Sequence, residues 1–226
     1  DDHAPLAAAI ATGRPVCLAF IFDSEILSVL PPLDRRVAFI HSAITDLDQR
    51  LRSMGAGLYV RHGVASSAIV ELARELNAAQ VFAASDYEPQ AVSRDQKVAG
   101  LLEAEDRSLQ LITDQTLHTP GSILTGAGKP YTVFTPFKKN FLSNITEQSF
   151  GAANSASGPL RKALLPSPKK MAIPSLKELG FKSFDLTDVN IDATEAGAGK
   201  ALQDFADRIG KYDEQRDFPG VRGPSY

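Results

Sequence analysis

The segment Val16-Cys17-Leu18-Ala19-Phe20-Ile21-Phe22 is apolar at every position and rich in strand formers, the pattern of a parallel strand covered on both faces. Asp2 to Ala11 before it reads as a short Ala-rich helix, ended by Gly13-Arg14-Pro15. After the breaker Leu30-Pro31-Pro32, apolar residues recur at Ile40, Ile44, Leu47, Leu51 and Met54, which predicts an amphipathic helix stopped by Gly55 and Gly57. Leu58-Tyr59-Val60 predicts a strand, His62-Gly63 a loop, and Ser66 to Asn77 a helix with Ile69, Val70, Ala73 and Leu76 on one side. Val81 to Ala84 is a third strand, Ser93 to about Glu105 a further helix, and Leu109 to Ile112 a fourth strand. Strands alternating with helices of about ten or more residues imply right-handed crossovers, so the class is α/β: a Rossmann-like, doubly wound parallel sheet. The first visible strand is preceded by a helix, so the sheet's opening strand is expected upstream of Asp1.

From Asn144 to about Ser175 the chain turns to Ser, Gly, Ala and Pro, as in Gly151-Ala152-Ala153-Asn154-Ser155-Ala156-Ser157-Gly158-Pro159. Such a stretch buries too little apolar area to offset its ordering entropy and reads as a surface linker. A helix from about Glu195 to Tyr212 follows, with Ala201, Leu202, Phe205 and Ile209 on one face. The organisation expected is an α/β domain over 1–143, a linker over 144–194 and the start of a second, helical unit over 195–226. No internal repeat is visible.

The 226 residues, 43% hydrophobic, suffice for one α/β core plus a tail. A net charge of −3 gives no global basic footprint for nucleic acid, so contact with DNA is expected from elsewhere in the protein. Cys17 is the single cysteine, which excludes an internal disulfide and a cysteine metal site and suits a reducing compartment. No stretch approaches the roughly 18 apolar residues of a membrane span, and Asp1-Asp2-His3 has none of the features of a signal peptide. A soluble, cytoplasmic monomer is expected.

Ligands of an open parallel sheet sit at the carboxyl ends of its strands. Ser85-Asp86-Tyr87-Glu88-Pro89 is such an end, where Asp86 and Glu88 straddle Tyr87 and point the same way along an extended backbone stiffened by Pro89. Two carboxylates could hold a ligand rich in N–H and O–H donors; taken alone, they more often cap the next helix. Arg94-Asp95 reads as the start of that helix, and Arg35-Arg36 as an ordinary solvated pair unless Arg36 converges on Asp86 and Glu88. Lys129-Pro130-Tyr131-Thr132-Val133-Phe134-Thr135-Pro136-Phe137-Lys138-Lys139 could stack bases, but reads better as a buried apolar clamp in which Pro136 forbids a regular element. His3, His41, His62 and His118 lack metal-ligand spacing, and neither a nucleophile elbow nor a P-loop is present.

Together these pieces resemble the photolyase and cryptochrome family. Asp34-Arg35-Arg36-Val37-Ala38-Phe39 with Leu47-Asp48 and Leu51-Arg52, Tyr87-Glu88-Pro89 with Arg94-Asp95, and Pro130-Tyr131-Thr132-Val133-Phe134-Thr135-Pro136-Phe137 fall in the family's order and spacing. Asp1-Asp2-His3-Ala4-Pro5-Leu6-Ala7-Ala8-Ala9 resembles the stretch after the family's first strand, and Tyr212-Asp213-Glu214-Gln215-Arg216-Asp217-Phe218-Pro219 its lead-in to the helical flavin domain. Two departures stand out: Gly223-Pro224-Ser225-Tyr226 replaces the usual G-T-S continuation, and the chain has no Trp.

The resemblance, strongest to bacterial class I photolyases, implies an antenna-chromophore-binding domain followed by the start of a domain that holds FAD. In the intact protein it implies light-driven repair of cyclobutane pyrimidine dimers in damaged DNA, bound through the helical half. It implies Arg36, Val37, Asp86 and Glu88 for an antenna such as 8-hydroxy-5-deazaflavin or FMN, with methenyltetrahydrofolate less in keeping because Gln90-Ala91 replaces the folate binders' Asn-Glu pair. Tyr212 would contact FAD and Arg216 DNA. The alternatives are a cryptochrome photoreceptor without repair activity, or a nucleotide-binding domain of the electron-transfer-flavoprotein type.

Overall fold

The computed structural model describes residues 3–146, 162–167, 171–189, 191–218 and 220. The chain divides into two compact units, Asp1–Ile26 with Leu58–Met171 and Leu27–Gly57 with Ala172–Tyr226. Helix α1 (Ala4–Ala11) opens the first unit, with Pro5 in its first turn and the His3 ring accepting from the Leu6 amide. Strand β1 (Leu18–Asp23) runs into the short α2 (Ser24–Leu27) and pairs in parallel with β2 (Leu58–Gly63), Leu18 opposite Leu58 and Asp23 opposite Gly63. Helix α4 (Ala65–Glu75), β3 (Gln80–Ala84), α5 (Pro89–Glu103) and β4 (Ser108–Ile112) follow, and β3 pairs in parallel with β4. Among the described residues the strands thus form two parallel pairs, where the sequence predicts one continuous sheet.

The core of this unit lies where α4 meets α5. Val70 and Ala73 of α4 pack on Val98 and Leu102 of α5, with Ile69, Ala78, Val81 and Leu109 around them. Leu102 is 0% exposed. Of the apolar positions read from the sequence for α4, Val70 and Ala73 are buried while Ile69 and the flanking Leu76 are half-buried, and the helix also buries Ala65, Ser66, Ala68 and Leu72. Strand β2 is longer than predicted because Arg61 continues it, its guanidinium reaching Glu75 of α4 at 2.6 Å.

Helix α6 (Phe134–Ser143) corrects the expectation that Pro136 forbids a regular element. Pro136 is its third residue, where the missing amide would have had no partner within the helix in any case. The expected buried clamp is not formed among the described residues: Phe134 is 72% exposed, and the Phe137 ring meets Tyr131 edge to face and Phe141 at a tilt.

In the second unit, α3 (Arg35–Ser53) is capped by Asp34, and Gly55 just past its end lies in the left-handed region, φ 84°. It buries Val37, Ala38, Asp48 and Leu51, while Ile40 and Leu47 of the predicted face remain exposed. Asp48 is tolerated inside because Arg52, one turn on, bonds it at 2.7 Å. His41 meets the Pro174 carbonyl at 2.9 Å, the Arg35 guanidinium lies over the Phe184 ring at 4.9 Å, and Arg50 pairs with Glu195. Helix α7 (Glu195–Arg208) gives way through a 3-10 turn to the four-residue α8 (Tyr212–Gln215).

Parts of the stretch read as linker are packed. Val16 and Leu164 form a parallel bridge, the Tyr59 hydroxyl donates to the Pro166 carbonyl at 3.2 Å, and Leu179 and Phe181 are buried. The Gly151–Pro159 run, Arg161, Lys169, Lys170, Pro219 and Gly223–Tyr226 lie outside the described residues.

Candidate functional site

The carboxyl edge of β3 is built by local hydrogen bonds. The Ser85 amide donates to the Ile112 carbonyl at 2.8 Å, extending the β3–β4 pairing by one step. Asp86 Oδ1 then accepts from the amides of Tyr87 at 2.7 Å and Glu88 at 3.0 Å, so this carboxylate closes a turn. It does not cap α5, whose flanking residue is Glu88 (φ −66°, ψ 132°), held extended by Pro89 at the first helical position. Glu88 makes no side-chain capping bond and its carboxylate is exposed.

Beside this turn a cavity of about 230 Å³ is lined by Asp86, Val92, Asp95, Gln96, Ala99 and Leu111. It is smaller than the roughly 300 Å³ at which ligand pockets begin, so it could take an edge of a planar ring and not the whole. The structure places Arg94-Asp95 in the second turn of α5, not at its start, because Pro89 begins the helix a turn earlier than predicted. Asp95 is buried there and bonded by Arg94 at 2.9 Å.

Arg36 and Val37 lie at the first turn of α3, in the other unit. Arg36 grips Asp34 with Nε at 3.0 Å and a terminal nitrogen at 2.6 Å, leaving its side chain 73% exposed. Val37 is 2% exposed and belongs to the core as it stands. The bonds from Arg36 are the first cause that holds the Asp34 carboxyl down from its ordinary 3.8 to about 2. A carboxylate with a depressed value stabilises the fold above its ordinary pKa and loses that contribution as pH falls through the folded value. Asp34→Asn is expected to be less stable than the parent at neutral pH, the difference vanishing between about pH 4 and about pH 2. Urea melts of both across that range check it, and a constant gap would show that the Arg36 pairing contributes nothing.

Tyr212 opens α8 with its ring 5.8 Å from the Arg216 guanidinium, and Arg216 also lies 3.7 Å from Asp217. Both side chains are thus engaged locally at the chain's lead-out.

Sequence reasoning missed the structural part played by two further groups. Asp23, buried at the end of β1, accepts from the Glu25 amide at 3.0 Å and the Ala65 amide at 3.3 Å, tying the starts of α2 and α4 to the strand end. An acidic residue closing an apolar run is the only local signal for it. Cys17 sits by the Tyr59 hydroxyl; burial pushes its thiol up, as it does the phenol. Among the described residues no three His, Cys, Asp or Glu side chains form a metal cluster, and no helix is long and apolar enough to cross a membrane.

An α/β unit with paired parallel strands and a helix after each is of the Rossmann-like class. Comparison with known proteins narrows it: the DNA photolyase family profile matches residues 1–155, and the chain belongs to that family. It is 34% identical over its whole length to a deoxyribodipyrimidine photo-lyase of Synechococcus sp., of which it covers 47%. Over 97% of the chain it resembles the class III photolyase of Agrobacterium tumefaciens, with 26% identity, a TM-score of 0.70 and 45% of that chain covered. Over 64% it resembles an archaeal photolyase of Sulfolobus tokodaii described with two FAD molecules, implying a novel light-harvesting cofactor, with 27% identity, a TM-score of 0.54 and 32% of that chain covered. The chain spans about half the length of the curated relative it matches. Family membership displaces the electron-transfer-flavoprotein alternative.

Proposed function

We propose that the intact protein repairs cyclobutane pyrimidine dimers in light, and that the segment described here holds an antenna pigment. The observation that carries this is the photolyase profile over residues 1–155, joined to similarity of the whole chain to about half of a photo-lyase. Reduced FAD, when bound, would supply the electron that opens the dimer, and the antenna would supply further light absorption. The residues at the β3 edge suit the second group: Glu88 offers an unengaged acceptor, and Asp86 and Pro89 fix the backbone that presents it. Arg36, held on Asp34, and Val37 are the further residues that the family resemblance implies for the pigment. Tyr212 and Arg216 would lie at the approach to the FAD and the DNA, most of both sites being supplied by the helical half.

The test is repair of ultraviolet-damaged DNA by the intact protein in light and in darkness. Dimer loss confined to the illuminated sample is expected, and none with residues 1–226 alone. Light-induced flavin reduction without dimer loss would make the protein a cryptochrome-type photoreceptor. The absorption spectrum of the intact protein identifies the antenna, since a deazaflavin, FMN, a second FAD and a folate absorb differently.

A further inference from the structure

Strand β2 pairs with β1 alone among the described residues, so its other edge needs a cover that is not a strand. The packed part of the stretch read as linker lies beside this pair. Val16, just before β1, donates to the Ala163 carbonyl at 2.8 Å and accepts from the Leu165 amide at 2.9 Å, and the Tyr59 hydroxyl of β2 reaches the Pro166 carbonyl. Next to Tyr59, the Val60 amide donates at 3.3 Å to the sulfur of Met171, and Arg61 Nη1 donates to the same sulfur at 3.7 Å. A thioether thus stands where a neighbouring strand would place a carbonyl.

This substitution changes the chemistry of the contact. The Ala163, Pro166 and Val16 carbonyls are inert to mild oxidants, whereas a methionine sulfur is converted to the sulfoxide and restored by reductases. Met171 is half-buried, open enough for a small oxidant. The other sulfur at this place, Cys17, is kept as the less reactive thiol by burial.

We propose that Met171 is a redox-sensitive clasp on β2, whose oxidation by hydrogen peroxide withdraws the sulfur from the Val60 amide and loosens the packed linker from that edge. In the step, a sulfur lone pair attacks one peroxide oxygen, the S–O bond forms as the O–O bond breaks, and the departing hydroxide takes up a proton. Sulfur is oxidised by two electrons and the peroxide is reduced to water. An N–H···O bond alone spans about 2.9 Å, so no oxygen fits between a sulfur and a nitrogen 3.3 Å apart, and Met171 must move. Arg61 gives the direction. Its guanidinium is fixed by Glu75 at 2.6 Å and by the Val60 carbonyl at 3.2 Å, and a charged donor outcompetes a backbone amide for the new oxygen.

The test treats the intact protein with hydrogen peroxide, confirms Met171 sulfoxide by mass spectrometry and follows hydrogen exchange residue by residue. Exchange of the Val60 amide should quicken about tenfold, the factor that matches the net worth of one hydrogen bond, and return on treatment with methionine sulfoxide reductase. The amides of Ala73 and Leu102, in the core between α4 and α5, should not change. Met171→Leu, which has neither the acceptor nor the oxidisable sulfur, should show the faster Val60 exchange from the start and no response to peroxide. Unchanged or slower Val60 exchange in protein with oxidised Met171 overturns the proposal. So does quickening shared by Ala73 and Leu102, which would mark general loss of structure, or a Met171 that stays reduced while Met54 is oxidised.

Discussion

Leu102→Ala is expected to destabilise the α/β unit by about 3 to 4 kcal/mol, near the upper part of the range for burying a Leu and then removing it. The side chain is 0% exposed and touches both layers, with Val70 and Ala73 of α4 on one side and Val81 and Leu109 of the β3–β4 pair close by. The buried neighbours Val98, 1% exposed, and Ala73, with only a methyl group, cannot reach into the space. At about 2 to 4 °C per kcal/mol for a chain of this size, the melting temperature should fall by roughly 6 to 16 °C. Leu101, the preceding residue on α5, is 40% exposed, so Leu101→Ala should cost under about 1 kcal/mol. Parallel melts of the two variants decide the matter; equal losses would show that α5 does not pack through the Leu102 face.

That contrast shows what the pattern of residues encodes. The alternation of strands and helices was readable because each element carries its own period, and α4 buries Val70 and Ala73 as its spacing requires. For α3 the spacing located the helix but not its buried side. The inward stripe includes Asp48, which an apolar count rejects and which the Arg52 bond helps to hold inside. Pro136 misled for a related reason: proline breaks a helix interior but not a first turn, and the difference depends on where the helix begins. Strand partners were not legible at all, since the pairing of β1 with β2 and β3 with β4 is a long-range choice that local composition does not state.

The site divides in the same way. The turn at Asp86 and the extended Glu88 follow from local chemistry, Asx bonding and the restriction before proline. Arg36 reads as a solvated residue and is one, but its bidentate hold on Asp34, two residues back, could not be told from the sequence. This hold makes Arg36→Ala a poor probe of ligand contact, because it strips a partner from the carboxylate that caps α3 and so changes fold and site together.

Glu88 is the cleaner probe, and Glu88→Gln is expected to weaken antenna binding about tenfold with no change in melting temperature of the ligand-free protein. The substitution keeps size and shape and removes the charge from one hydrogen bond, a loss of roughly 1.5 kcal/mol at the low end for charged acceptors, suited to an exposed group. Each 1.4 kcal/mol, approximately, is a tenfold change in dissociation constant. The melting temperature should hold because Glu88 makes no capping bond to α5. Asp86→Ala should behave differently: it removes the acceptor of the Tyr87 and Glu88 amides, so the turn loosens and both affinity and stability fall. Titrating apoprotein of the intact chain with deazaflavin, FMN and folate, beside a melt of each variant, separates ligand contact from turn support. Unchanged affinity for all three pigments in Glu88→Gln would remove this carboxylate from the site. Lowered affinity in Asp86→Ala alone would assign the β3 edge a purely structural part in shaping it.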